Sequence, residues 1–359
     1  MNPDTSRIIE TTDLATALKC RVAACRDRDR THLGPMFILT DNNVEKLVLP
    51  ALMPWVESHN VKIITIEPGE KNKNLQTLTH IWESLSNEGA TRSSLLINLG
   101  GGVVTDIGGF AAATFKRGIR YVNIPTTVLG AVDAAVGGKT AIDFNGLKNE
   151  IGAFHQPEAV VISPLPLRTL PPDQTASGFA EIVKTSLISS KEFYHRCLRA
   201  DIDNPEELFP LIVEAVRFKE RVTDEDPHEK GLRKILNFGH TAGHAFETWM
   251  MRRGTPISHG EAVANGILVA LILSHTQLGL PSAEIHTYAT NILKPYFRGV
   301  PILCKDYPDL LDIMGHDKKN HTAGDIRFVL LNEIGIPGTD ISIPAKEIEA
   351  ALDIYRDLL

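Results

Sequence analysis

The sequence predicts an α/β protein of two domains, an N-terminal half of alternating strands and helices followed by a mainly α-helical C-terminal half. Three observations predict it. From residue 35 onward, short apolar runs each end in a polar or glycine-rich turn; a proline cluster at Pro164, Pro166, Pro171 and Pro172 interrupts the chain; beyond it, apolar residues recur at helical spacing. The boundary falls in the proline cluster, giving domains 1–168 and 169–359.

Met36–Leu39 ends at Thr40-Asp41-Asn42-Asn43, and Val61–Ile66 ends at Glu67-Pro68-Gly69-Glu70, the pattern of strands feeding helices. Ser94–Leu99 reads as a buried strand. It runs into Gly100-Gly101-Gly102-Val103-Val104-Thr105-Asp106 and an Ala/Gly-rich helix expected to end near Gly118. A glycine turn between strand and helix lets backbone approach an anion, and the free N–H groups of the helix start favour its charge. The pattern is not GxGxxG, and a plain tight turn explains the glycines equally well. Tyr121–Ile124 is the next strand, followed by Pro125-Thr126-Thr127. Then come Val132-Asp133 through Gly137-Gly138-Lys139, the pair Lys148-Asn149, and a last strand at Ala159–Ile162. A Lys directly after Gly-Gly can reach an anion that the glycines admit, or simply lie in water.

In the predicted helix Ala176–Ser190, Glu181 and Lys184 share a face among Phe179, Ile182, Val183 and Leu187, either as a surface ion pair or as groups held away from bulk water. The next helix has an apolar stripe of Leu208, Ile212, Ala215 and Val222, with Lys219 where an apolar residue is expected. Such a Lys either snorkels outward or has a task. If residues 232–250 form one helix, Arg233, Asn237, His240, His244 and Glu247 line a single stripe within about 40°. With His259 on a glycine-containing loop, this stripe suggests a metal site of His and carboxylate. The alternative is a pair of core histidines satisfied by backbone carbonyls. Near the C-terminus, residues 316–320 form a polar loop, Ile326–Leu331 a short strand, and Ala345–Leu359 an amphipathic helix.

Composition narrows the classes. With 359 residues, 43% hydrophobic and 23% charged, the chain is globular and long enough for two packed domains. A net charge of −7 and no Lys/Arg tract argue against nucleic acid or an anionic membrane as the main partner. No apolar leader and no apolar stretch approaching ~18 residues is evident, so a cytoplasmic location is expected. Four cysteines without a CxxC pair exclude a thiolate zinc site by spacing.

Taken together, Gly100 through Asp106, Lys116-Arg117-Gly118, Ile124 through Thr127, Asp133 through Lys139, Lys148-Asn149, Gly178 through Lys184, Leu236 through His240 with His244, and His259-Gly260-Glu261 strongly resemble the 3-dehydroquinate synthase family of the sugar phosphate cyclase superfamily. The resemblance covers nearly the whole chain. It implies a Rossmann-like NAD-binding α/β domain, a mainly α-helical metal-binding domain, an active site in the cleft between them and a homodimer.

The family's metal ligands, for zinc or cobalt, fall on Glu181, His240 and His259, while His244 matches a catalytic or phosphate-contacting residue rather than a ligand. Lys139, Asn149 and His244 correspond to the substrate-phosphate side, Lys219, Arg233 and Asn237 to the carboxylate side, and Asp133 and Lys184 to hydroxyl contacts. Arg117 matches an arginine that reaches the neighbouring subunit's site, and one of Lys318 and Lys319 should face substrate. NAD contacts are implied at Asp41, Glu70, Lys73, Gly101, Gly102, Val103, Asp106, Thr126, Thr127, Lys139, Lys148 and Thr169. Two segments depart from the family pattern, Asp133-Ala134-Ala135-Val136 and Leu170-Pro171-Pro172-Asp173-Gln174, but neither change falls on these residues.

The implied reaction converts a seven-carbon keto-acid phosphate, 3-deoxy-D-arabino-heptulosonate 7-phosphate, to 3-dehydroquinate and phosphate in the shikimate pathway. It proceeds by transient oxidation with NAD, β-elimination of phosphate, re-reduction and intramolecular aldol closure. Rival readings are another sugar phosphate cyclase, a metal-dependent NAD polyol dehydrogenase, and a catalytically dead NAD- or metal-binding regulator. A polyol dehydrogenase has no use for Lys184, Lys219 and Arg233, because its substrates carry neither carboxylate nor phosphate.

Overall fold

The computed structural model describes residues 7–29, 33–315 and 326–359. The chain separates into two compact units. One runs to Thr175 and takes in Asp203–Glu220; the other comprises Ala176–Ile202 and the chain from Arg221 onward.

The first unit holds β1 (Ile8–Glu10), β2 (Met36–Asp41), β3 (Lys62–Ile66), β4 (Leu95–Gly100), β5 (Arg120–Pro125), β6 (Lys139–Phe144), β7 (Leu147–Phe154) and β8 (Ala159–Ile162). Six of these form a sheet in the order β1-β8-β5-β4-β2-β3, with every pairing parallel. Every residue of β2 and β4 is buried, because alternate side chains enter cores on opposite faces of the sheet. Ile38, Leu95, Ile97 and Leu99 join the core under the helices Leu14–Asp29, Asn42–Leu47 and Met53–Ser58. Phe37, Leu39 and Leu96 join the core under Leu75–Asn87 and Gly102–Thr114. From β2 the chain moves outward to β3, and from β4 it moves the other way to β5. The switch point of the sheet therefore lies between β2 and β4, where Asp41 and Gly100 end their strands.

Several elements of this unit escaped the sequence reading, among them the helix Leu14–Asp29, whose apolar residues follow no helical stripe. β1 has only three residues, and the antiparallel hairpin of β6 and β7 is too exposed to show an apolar run. The glycine-rich helix also stops at Thr114, short of Gly118, because Lys116, Arg117 and Gly118 all have left-handed backbone, with φ of 50°, 67° and 113°.

In the second unit, the helix His259–Leu278 is surrounded by His240–Arg252, Ser282–Tyr288, Ala345–Leu358 and the strand β9 (Ile326–Glu333), which pairs antiparallel with β10 (Ile336–Ile343). This helix passes a length and mean-hydropathy test for crossing a membrane without containing an uninterrupted apolar run of that length, and 72% of its most apolar window is buried inside the protein, the condition of a core helix.

Residues 232–250 are not one helix, which corrects the predicted stripe. Leu232–Asn237 is a 3₁₀ turn, Gly239 is left-handed at φ 76°, and a new helix runs His240–Arg252. The break has a packing cause. A Cβ on Gly239 would stand 2.6 Å from Ile267 Cγ1 and 3.0 Å from Ile267 N, so the chain turns at a point of direct backbone approach to the central helix. His259 is likewise not on a loop; it opens the central helix, capped by Ser258, whose hydroxyl accepts the Glu261 N–H at 3.1 Å.

Candidate active site

Within the second unit, Glu181, His240 and His259 come from three different helices, and their ligand atoms all lie within 4.8 Å of one another. Glu181 Oε1 is 3.4 Å from His240 Nε2 and 3.5 Å from His259 Nε2, and it is buried without a hydrogen bond among the described residues. Its other oxygen pairs with the Lys184 ammonium, one helical turn on and equally buried. The outer ring nitrogens are also engaged: His240 Nδ1 lies 3.2 Å from the Phe238 carbonyl and His259 Nδ1 lies 3.2 Å from Glu247 Oε2. An Nδ1–H donated outward leaves the Nε2 lone pair facing the cluster, the orienting arrangement of metal-binding histidines. Glu247, predicted only as a member of the stripe, thus orients His259.

Charge agrees with geometry at Glu181 and His240, whereas at His259 burial is outweighed by Glu181 and Glu247, which push the imidazole up to about 10, so a bound cation must displace a proton there. Burial raises the Glu181 carboxyl, but Lys184 and then the two histidines outweigh it and hold it well below the usual carboxylate range. Burial and the nearby Lys184 push His240 well below an ordinary imidazole, so it is neutral and able to ligate. An orphaned carboxylate oxygen converging with two imidazole nitrogens fits a divalent cation, with coordination positions left for other oxygens.

His244, one turn beyond His240, sets its ring edge-on to His240 with centroids 5.1 Å apart. Arg233 and Asn237 are held by a local framework rather than by a shared helix face. The Asp226 carboxylate accepts N–H groups of Lys230, Gly231 and Arg233 at 3.0, 2.7 and 3.1 Å, and the Arg233 guanidinium donates to the Pro227 carbonyl at 2.8 Å. Glu229, absent from the sequence reading, accepts the Asn237 amide at 2.8 Å from a left-handed backbone position, φ 56°. A carboxylate eight residues from its partner leaves no periodic signal in the sequence. Lys318 and Lys319 lie outside the described residues.

In the first unit, the helix Gly102–Thr114 starts at the switch point with Gly101 as N-cap and no side-chain cap, leaving its first N–H groups for an anion. A Cβ on Gly101 would come 3.1 Å from Thr127 Cγ2, so the turn has room for backbone alone. Val103 lies in the first turn of that helix. Beside it, Thr126 Oγ1 is buried without a hydrogen bond among the described residues, and Thr127 Oγ1 accepts the Gly130 N–H at 2.9 Å. Asp41 ends β2 and caps the following helix through the N–H groups of Asn43 and Val44. Thr169 closes a 3₁₀ turn after β8. These residues follow the C-terminal ends of parallel strands, where open α/β sheets bind dinucleotides, and an orphaned hydroxyl beside an uncapped helix start suits a pyrophosphate ligand.

Lys73 is the hub of this unit. Although buried, it reaches Glu70 at 2.6 Å, Asp106 at 3.4 Å, Asp143 at 3.6 Å and the Asn149 amide oxygen at 2.8 Å. Burial, only partly offset by Lys73, raises the Asp106 carboxyl to about 7. Lys219 does not snorkel: its ammonium donates to the Asp133 carbonyl at 2.7 Å and pairs with the Asp133 carboxylate. Lys139 and Lys148 are exposed on the β6–β7 hairpin, and Arg117 lines a groove with Arg92, Arg120 and His155.

An open parallel sheet with a glycine turn at its switch point, together with a largely buried Glu-His-His cluster, defines a dinucleotide- and metal-type α/β enzyme fold. The family model described as 3-dehydroquinate synthase N-terminal matches residues 63–177, and the C-terminal one matches residues 178–320. The chain belongs to the 3-dehydroquinate synthase family. A 3-dehydroquinate synthase of Parabacteroides distasonis is 47% identical over 324 residues, covering 90% of this chain and 91% of that protein. One of Thermococcus kodakarensis is 40% identical over 318 residues, covering 88% of each. Among solved structures, 2-deoxy-scyllo-inosose synthase complexed with carbaglucose-6-phosphate, NAD+ and Co2+ aligns with a TM-score of 0.83 at 24% identity, over 98% of this chain and 96% of that one. ValA (2-epi-5-epi-valiolone synthase) from Streptomyces hygroscopicus with NAD+ and Zn2+ gives 0.81 at 24%, over 99% and 98%. Glycerol dehydrogenase from Schizosaccharomyces pombe shares the fold more distantly, at 0.65 and 14%, over 98% of this chain and 89% of that one.

Proposed function

We propose that this protein is a lyase that converts 3-deoxy-D-arabino-heptulosonate 7-phosphate to 3-dehydroquinate and phosphate. The observation that carries this reading is the buried Glu181-His240-His259 cluster with Lys184 on the same carboxylate, in a chain of the 3-dehydroquinate synthase family. NAD at the Gly101 turn would supply a hydride acceptor that is restored within each turnover, and zinc or cobalt at the cluster a Lewis acid for substrate oxygens.

The chain's own residues bind and orient. Lys139 and Asn149 receive the phosphate, and Arg233, Asn237 and Lys219 the carboxylate, so that binding energy remote from the reacting carbon positions it. Asp133 and Lys184 contact ring hydroxyls, and His244 relays protons. Lys73, Asp106, Thr126, Thr127 and Lys148 grip the dinucleotide. The working form is a cytoplasmic homodimer in which Arg117 serves the neighbouring subunit's site; its left-handed backbone, φ 67°, suits a side chain aimed by the turn.

Incubation with the heptulosonate phosphate, catalytic NAD and zinc tests this reading. Phosphate release over many turnovers without net NADH is expected, whereas stoichiometric NADH would point to a dehydrogenase.

A further inference from the structure

We infer that Asp143 is a positioning residue that, with Lys73, fixes the amide of Asn149 so that its NH2 group faces the phosphate of the substrate. This rests on the reading of Asn149 as a phosphate contact.

Three contacts close a ring. The Asp143 N–H donates to the Lys73 carbonyl at 2.8 Å, Asp143 Oδ1 accepts the Asn149 N–H at 2.9 Å, and Lys73 Nζ donates to Asn149 Oδ1 at 2.8 Å. Asp143 Oδ1 also lies 3.6 Å from Lys73 Nζ, so its charge is answered within the ring. The backbone is bent to make this possible. The pairing of β6 with β7 slips between Ile142 and Phe144, at Asp143, and Asn149 takes a left-handed φ of 53°. A bulge re-aims the side chain it carries, and asparagine is a residue that takes left-handed backbone readily.

The chemistry follows from what an ammonium can do. Lys73 has donors only, so the amide atom facing it is the oxygen, and the NH2 occupies the other position. That nitrogen makes no hydrogen bond among the described residues, and donors are what a phosphate requires. Lys73 thereby links the dinucleotide side of the unit to the phosphate grip.

The test uses the zinc- and NAD-loaded enzyme and reads KM for the sugar phosphate, inhibition by inorganic phosphate and thermal midpoints. Asp143→Ala and Asn149→Ala should each raise KM and the phosphate inhibition constant roughly tenfold, with kcat within about threefold. The double variant should be no worse than Asn149→Ala, because Asp143 acts through Asn149. Additive losses, or an unchanged KM in Asp143→Ala, overturn the inference. An unchanged KM in Asn149→Ala instead overturns the phosphate assignment beneath it. Should Asp143→Ala fold poorly, Asn149→Asp decides: it keeps the bond to Lys73 but offers phosphate an acceptor, so phosphate inhibition should vanish while NAD binding persists. Phosphate inhibition equal to that of the parent enzyme overturns the inference.

Discussion

Glu181 gives one carboxylate oxygen to Lys184 and holds the other, buried and without a hydrogen bond, 3.4 Å from the His240 ring. A cation held by this oxygen and the two imidazoles replaces the proton that Glu181 and Glu247 keep on His259 and gives the oxygen a direct partner. Zinc or cobalt should therefore raise activity and the thermal midpoint, adding about 2.7 kcal/mol of folding stability at metal one hundred times Kd, and chelation should reverse both. Calorimetry with and without chelator checks this. An identical midpoint and full activity after verified metal removal would reject the cluster as a cation site.

Gly239 sets where that cluster forms. Gly239→Ala places a side chain on a left-handed backbone and drives its Cβ against Ile267, for a combined loss of about 2–4 kcal/mol. Metal content should fall too, since His240 is the next residue. Denaturant titration and elemental analysis of the purified variant measure the two effects separately.

Arg233→Ala should lower kcat/KM by a factor on the order of 30 to several thousand, corresponding to roughly 2–5 kcal/mol for losing the partner of a partly desolvated carboxylate. The fold should survive, because Asp226 anchors the turn through backbone N–H groups rather than through the guanidinium. Near-parental kinetics with substrate would remove Arg233 from the carboxylate grip.

Lys219→Met should lose most activity with only a small change in thermal midpoint. The Asp133 side chain left behind is 41% exposed, so water replaces the lost donor. A large fall in midpoint would recast Lys219 as a structural residue.

Asp106 gives the first unit a pH signature. Its carboxyl titrates near 7 in the folded protein, against an ordinary value of 3.8, so the folded state holds the extra proton between these values. Its contribution to stability is therefore complete below about pH 4 and is lost as pH rises through about 7. In NAD-free protein, Asp106→Asn should be more stable than the parent at pH 8, with the difference shrinking by pH 5. Parallel midpoint curves across that range would contradict the assignment.

Much of this protein was legible in one dimension. Met36–Leu39, Ser94–Leu99, Tyr121–Ile124 and Ala159–Ile162 lie within two residues of observed strands, because a parallel strand buried on both faces reads as a mostly apolar run. Glu181 and Lys184 were legible as a pair because helical periodicity alone brings residues three apart together. The periodic argument failed at the predicted stripe. The approach of Gly239 to Ile267 breaks that helix, and no local pattern encodes a contact 28 residues away. The β6–β7 hairpin was equally silent, its β7 strand almost wholly exposed, and so the ring of Lys73, Asp143 and Asn149 was silent too. The sequence by itself determined the buried parallel strands, the family and the residue types available for a metal and an anion. Only the tertiary structure decided which carboxylate oxygen is left without a donor and which lysine answers which acid, because burial and charge pairing depend on distances set by packing between elements far apart in the chain.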